Sequence, residues 1–251
     1  MSMFGGDVFK VKEKIRKKIW NCLARNDLAI YPRPCRGRIP AFRGILYATT
    51  RLTRLSVFKD SQYVFSSIDH PLALFRAEVL RRGKVLVTSS PGLRNGLLIV
   101  RPENVRGGLS RRPLSFRALL RWGELVRSKS DLAKLGGVEI GFVAISSLAV
   151  TSNGARLGDG RGLGDFEFAV LRELKLLRRD SVVATLVHDE QFVEEIPMEL
   201  HDVPVDFIAT PSRLIKVEQK YPKPLGLIRD KITVDFLDRM PFLRVFISFS
   251  P

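Results

Sequence analysis

The residues best suited to chemistry lie in one run, Gly154-Ala-Arg-Leu-Gly-Asp-Gly-Arg-Gly-Leu-Gly-Asp165. Glycines alternate at Gly158, Gly160, Gly162 and Gly164. They leave the backbone free to adopt positive φ and to approach a ligand closely. Bare N–H groups followed by a helix N-terminus are how proteins commonly hold phosphate. Arg156 and Arg161 add cationic donors, and Asp165, at the expected N-cap, can cap the helix or hold a metal. The run is neither a G-x-G-x-x-G fingerprint nor a Walker A loop. Its spacing alone leaves a phosphate cradle and a flexible surface turn both open.

Two further polar groups stand at the ends of apolar runs. His188-Asp-Glu-Gln191 directly follows Val182–Val187, and His201-Asp-Val-Pro-Val-Asp206 leads into the run ending at Ala209. Asp206 interrupts apolar sequence, where a lone carboxylate is costly unless it is paired or bound to metal. Asp165 and Asp206 together could offer oxygen ligands to Mg²⁺ shared with nucleotide phosphates; the alternative for Asp206 is a strand-end carboxylate paired with an arginine. For His188 and His201 the alternative is a hydrogen-bonded structural histidine. The sequence contains no evident Ser–His–Asp or Cys–His set.

These groups need a scaffold. The 251 residues, 45% apolar and 27% charged, suffice for a sizeable core. No apolar run approaches the roughly 20 residues of a membrane span, the N-terminus lacks the zones of a signal peptide, and a cytoplasmic protein is expected. Cys22 and Cys35 are too few for a disulfide framework. The net charge of +16 points to nucleic acid, to a polyanionic small substrate, or to adaptation to an unusual cell interior. Because few aromatics interleave with the basic residues, RNA is the secondary partner. Nothing in the sequence sets an oligomeric state.

Helical spacing predicts a first helix over 10–26, with Lys12 and Arg16 either solvated or reaching a phosphate tail. Strands are expected at Gly44–Ala48, Val64–Phe65, Lys84–Thr88, Leu97–Val100, Val138–Val150, Val182–Val187 and Val205–Ala209. Helices are expected at Pro71–Arg82, Ser115–Val126, Phe166–Leu177 and in a C-terminal tail over 228–251, where Pro241 breaks the helical spacing. Strands alternating with helices predict one α/β domain over 1–251, an open and largely parallel sheet with helices on both faces. In such sheets ligands bind at the carboxyl ends of the strands, here the loops after Val150, Val187 and Ala209.

The glycine run also resembles the signature N-R-L-G-[RK]-G-x-G-Y-Y-D of the 5-formyltetrahydrofolate cyclo-ligase family, in the register Ala155–Asp165. The likeness is closest to the branch called methenyltetrahydrofolate synthase domain-containing proteins. It extends to Ile15–Trp20, Arg38–Gly44, Val187–Gln191, His201–Asp206, Thr210–Arg213 and Lys223–Gly226. The resemblance implies a fold like that of ribose-phosphate isomerase and CoA transferases. It also implies ATP- and Mg²⁺-dependent conversion of 5-formyltetrahydrofolate to 5,10-methenyltetrahydrofolate, and so a folate-type substrate. It assigns Lys12, Arg16, Gly158, Gly160, Gly162 and Gly164 to nucleotide phosphate, Arg156 and Arg161 to the reacting phosphoryl group, and Asp165 and Asp206 to Mg²⁺. The chain departs from the pattern at Asp159, where the family has Arg or Lys, and at Leu163-Gly164, where it has two tyrosines. The family's acidic substrate-binding segment is not evident between Gly44 and Asp69. A non-catalytic nucleotide- or RNA-binding protein on the same fold is the alternative.

Overall fold

The computed structural model describes residues 5–105, 112–133, 137–218, 220–228 and 241–246. Its centre is an eight-stranded sheet. After the two-stranded ribbon of β1 (Ala29–Tyr31) and β2 (Ala41–Phe42), its strands in chain order are β3 (Tyr63–Ser66), β4 (Val85–Ser89), β5 (Leu97–Val100), β6 (Gly123–Val126), β7 (Ile140–Ala144), β10 (Leu177–Leu186), β11 (Phe207–Ala209) and β12 (Leu214–Lys216). Across the sheet they run β12-β11-β10-β7-β3-β4-β5-β6. The five strands from β11 to β4 are mutually parallel, and antiparallel partners close both edges. The α/β class with a largely parallel sheet is as expected.

Period-two alternation splits these strands between two cores. Val64, Leu86, Leu98 and Phe142 face a cluster with Phe58 and Phe75, whereas Phe65, Val87, Ile99 and Val143 face one with Phe168 and Val170. The first face is covered by α2 (Ile45–Leu52), α3 (Ser56–Asp60), α4 (Ala73–Arg81) and α5 (Phe116–Leu119). After α6 (Lys129–Ala133), which follows β6, the second face is covered by α7 (Leu163–Glu173) and a short helix, Pro241–Phe246. A third cluster packs Ile19, Trp20 and Leu23 of α1 (Gly5–Arg25) against Leu148, Ala149 and Leu157. Ala149 and Leu157 pair in the ribbon of β8 (Ala149–Val150) and β9 (Arg156–Leu157). That contact sets α1 beside the glycine run.

Four local expectations are corrected. Gly44–Ala48 is not a strand: Ile45, Ala48, Thr49 and Leu52 are buried at helical spacing, and Gly44, at φ 79°, starts α2. The helix expected over Ser115–Val126 ends at Leu119. Gly123 opens an edge strand instead, where a Cβ would come within 2.7 Å of Leu98 Cδ1. Gly162, at φ 67°, is the N-cap of α7, so Asp165 lies inside the first turn. In the tail, Pro241 begins a helix rather than ending one, because a first-turn proline forfeits no helical bond. The rest of the expected tail, 229–240 and 247–251, lies outside the described residues.

Phe142 shows where the stability resides. It is fully buried on the central strand, with its ring 5.4 Å from Phe58 and 5.9 Å from Phe75. Phe142→Ala is expected to cost about 3–5 kcal/mol, seen as a lower denaturation midpoint at unchanged m.

Candidate active site

Strand order reverses at β3. From there the chain runs outward through β4, β5 and β6, then returns to place β7 on the other side of β3. Such a reversal opens a crevice at the carboxyl ends of the two strands. Ser67 and Asp69 follow β3, Ser89 ends β4, and Ser146 follows β7. Glu167 and Arg76 join them there.

Glu167, on α7, is buried beneath the crevice and accepts hydrogen bonds from the hydroxyls of Ser67 and Ser89. Burial pushes its carboxyl up to about 7, against the two serine bonds and with some help from the Asp69 charge. Arg76, fully buried on α4, donates to the carbonyls of Ser67 at 2.7 Å, Asp69 at 3.0 Å and Leu114 at 2.8 and 3.1 Å. Burial lowers its guanidinium to about 10, while Asp69 and Glu167 favour its charge. Asp69 is itself raised by burial and by Asp159, with Arg161 and Arg76 opposing.

The ribbon β8–β9 changes the reading of the glycine run. Gly154, at φ 88°, belongs to the turn between those strands, so the open loop is Gly158–Gly162, with positive φ at Gly160 and Gly162. Arg156 is buried at the loop's base. It donates to the carbonyls of Ser146 at 2.9 Å and Val203 at 3.2 Å and pairs with the Asp165 carboxylate, which also accepts from the Val203 N–H at 2.9 Å. Arg156 therefore anchors the base of the loop, where it also lines the recess beneath it. Gly164 is a matter of space: a Cβ would lie 2.5 Å from Ile145 Cγ2 and 3.3 Å from the Arg156 guanidinium. No tyrosine fits there while α7 packs this closely.

Arg16 reaches the loop from α1, donating to the Gly158 carbonyl at 3.0 Å and pairing with Glu13 at 2.5 Å. Lys12, one turn earlier, does not reach it. Its ammonium sits between Asp202 at 2.6 Å and Glu199 at 2.9 Å. Those carboxylates and His201 form the one metal-like cluster among the described residues, and the Lys12 charge already occupies it. Arg161 is half-exposed at the rim. It makes 2.5 and 2.8 Å bonds to Asp159 Oδ2 and lies 3.5 Å from Asp69.

Asp165 and Asp206 are not brought together for a metal. Asp165 is committed to Arg156 and Val203, whereas Asp206 takes the Val183 N–H at 2.7 Å and the Lys223 ammonium at 2.6 Å. The paired reading of Asp206 holds, with a lysine as the partner. His188 caps the turn Asp189–Gln191 through its side chain, the structural role.

Beside the loop lies a cleft of about 730 Å³ whose walls include Tyr31, Arg38, His70, Arg76 and Phe116. It meets the small recess of the glycine loop at Ile39, Asp69 and Arg161, which line both. His70, packed edge-on against Tyr31, is lowered by burial and then by the charges of Arg76 and Arg38, which favours the neutral imidazole. Sequence reasoning missed Ser67, Asp69, Arg76, Ser89 and Glu167. The one local signal for Glu167 was a carboxylate flanked by Phe166 and Phe168 in an apolar helix face.

A model of the 5-formyltetrahydrofolate cyclo-ligase family matches residues 9–211. The chain belongs to that family. It is similar to the human methenyltetrahydrofolate synthase domain-containing protein, 34% identical over 238 residues, which are 93% of this chain and 60% of that protein. The zebrafish (Danio rerio) protein of the same name is 33% identical over 240 residues, 94% of this chain and 61% of its own length. The chain thus spans about three-fifths of these relatives. A Mycolicibacterium smegmatis 5-formyltetrahydrofolate cyclo-ligase matches 75 residues at 36% identity, 30% of this chain and 36% of that one. Among solved structures, the Aquifex aeolicus 5,10-methenyltetrahydrofolate synthetase aligns with a TM-score of 0.51 at 21% identity. It covers 84% of this chain and 95% of its own, a likeness of fold alone. No helix among the described residues is long and apolar enough to cross a membrane.

Two outcomes test this geometry. Arg156→Ala strands the Asp165 carboxylate and is expected to cost about 3–5 kcal/mol, read as a fall in the chemical-denaturation midpoint. For Glu167, both folded and unfolded chains hold the proton below about pH 4.5, the ordinary carboxyl value. As pH rises toward 7 the unfolded chain releases it first, so stability falls across that window. The loss approaches about 3 kcal/mol above the folded value. Glu167→Gln cannot ionise, so denaturation at pH 5 and pH 8 should show a smaller pH-dependent loss than in the wild type.

Proposed function

We propose that this protein converts 5-formyltetrahydrofolate to 5,10-methenyltetrahydrofolate using ATP and Mg²⁺. The observation that carries the reading is the shared wall at Arg161. The recess under Gly158–Gly162 suits a nucleotide's terminal phosphate, the adjoining cleft suits a folate-type substrate, and Arg161 lines both. In the reaction the family name implies, the formyl oxygen attacks the γ-phosphate and displaces ADP, the folate amine closes on the activated carbon, and phosphate departs. Atoms balance without a covalent enzyme intermediate, so the protein's work is positioning and charge neutralisation.

The chain's residues divide that work. The Gly160 and Gly162 backbone, curved by positive φ, brings bare N–H groups close to an anion. Arg16 braces the loop through the Gly158 carbonyl, and Arg156 fixes its base. Arg161, half-exposed and lining both cavities, is the cation placed to turn toward phosphate in exchange for its bonds to Asp159 and Asp69. Mg²⁺, when bound, would neutralise phosphate charge; the Asp165 and Asp206 pair does not suit it, since both carboxylates are already partnered. A cytoplasmic setting belongs to the same reading, with RNA at most a secondary ligand.

With purified protein, Mg-ATP and 5-formyltetrahydrofolate, methenyl-folate absorbance should appear. Arg161→Gln should weaken ATP binding by about tenfold or more, the worth of a charge-assisted bond, while Lys17→Ala, on an exposed face of α1, should leave it within about twofold. Absence of both absorbance and calorimetric ATP binding overturns the reading.

A further inference from the structure

His70 opens a single helical turn, His70–Leu72, and lines the larger cleft one residue beyond Asp69, where cleft and glycine-loop recess meet. The other two histidines have polar partners: His188 Nδ1 accepts from the Glu190 N–H at 3.2 Å, and His201 Nε2 lies 3.7 Å from Asp202. His70 differs. Its ring is half-buried and packs edge-on against Tyr31 at 4.6 Å, yet neither ring nitrogen makes a hydrogen bond among the described residues. An imidazole enclosed in this way is costly unless a ligand supplies the missing partner. The charged and titratable groups lining the cleft with it are Arg76 of α4, Tyr31 of β1, Arg38 between β1 and β2, Asp69 beside it and Arg161 of the loop. Burial, then the charges of Arg76 and Arg38, holds its titration below the ordinary 6.5, so the ring keeps a free lone pair at neutral pH.

In the proposed ring closure, the folate amine still bears its proton when it attacks the activated formyl carbon. The new C–N bond leaves that nitrogen positively charged. Its proton must leave before the C–O bond breaks, phosphate departs with the electron pair, and the C=N bond of the methenyl product forms. With phosphate held in the recess and folate in the cleft, the reacting carbon belongs at their junction, lined by Ile39, Asp69 and Arg161. Two nearby carboxyls are poorly placed to take the proton: Asp69 is engaged by Arg161, and Glu167 by Ser67 and Ser89. His70 lines the cleft and not the recess, which is the side from which the amine arrives. We propose that His70 is a catalytic residue of this reaction, its unpartnered ring nitrogen taking the proton from the folate amine as the ring closes. The imidazolium then passes the proton to the departing phosphate or to water. The assignment rests on the reading of the cleft as the folate site and of the recess as the phosphate cradle.

The test follows methenyl-folate absorbance in single turnovers of the full chain with saturating Mg-ATP, over a series of pH values and of 5-formyltetrahydrofolate concentrations. Thermal transitions check the folding of each variant. The wild-type rate should fall as pH drops below about 6.5, because only the unprotonated ring accepts a proton. His70→Gln and His70→Ala should each lower the saturated rate by about a hundredfold or more and lose that acid limb. The folate concentration for half-maximal rate and the calorimetric ATP affinity should stay within about threefold, as expected when an interaction made only in the transition state is removed. Free imidazole should restore part of the rate to His70→Ala, whose missing ring leaves it space, and not to His70→Gln. A wild-type saturated rate in both variants, a loss confined to folate affinity, or an acid limb that persists without imidazole rescue overturns the assignment and leaves the cyclo-ligase reading standing. A wild type that forms no methenyl-folate overturns the assignment too, and calorimetric ATP binding then reports separately on the phosphate cradle.

Discussion

The crevice depends on the guanidinium of Arg156. Three parts of the chain that share no secondary structure meet on it: the Ser146 carbonyl after β7, the Val203 carbonyl before β11, and Asp165 in the first turn of α7. Each of those carbonyls would otherwise lie buried without that donor, and the carboxylate would lack its counter-charge. A lysine could not replace it, since a single ammonium lacks the planar fork that reaches three directions at once. The entry of α7 is thereby fixed against the end of the central strand, and the glycine loop is suspended between two anchored ends.

Around this anchor the protein concentrates charge where the sheet reverses direction. Arg76, Glu167, Asp159, Asp69 and Arg161 form a graded series from fully buried to half-exposed. At the buried end, Arg76 is held by carbonyls and Glu167 by two serine hydroxyls, so neither is available for exchange. At the rim, Arg161 is held by the carboxylates of Asp159 and Asp69. Enclosure strengthens each of these interactions relative to water.

Family membership and the departures from the family pattern are compatible on physical grounds. Gly164 allows α7 to approach Ile145 more closely than any side chain would permit. Asp159 brings an acid where a base is usual, and Arg161 answers it two residues later with two short bonds. The loop is therefore neutral within itself at rest.

What could be read from the chain alone was whatever is local. Alternating glycines, the buried runs Val64–Phe65 and Val182–Val187, and the α1 periodicity declare themselves within a few residues, because propensity and burial pattern act over that range. Short elements went astray where two signals compete. Gly44–Ala48 is apolar enough for a strand, yet its burial repeats with helical period, and Gly123–Val126 carries the end of a helical pattern into an edge strand. Only the tertiary structure could decide which charges meet. Ser67, Ser89 and Glu167 are separated by up to 100 residues, and they touch because three segments converge on one crevice. The same convergence gave Asp165 to Arg156, Asp206 to Lys223 and Lys12 to Asp202. The sequence supplies the residue types, but a charged group's role follows from its nearest counter-charge, and that neighbour is chosen by folding.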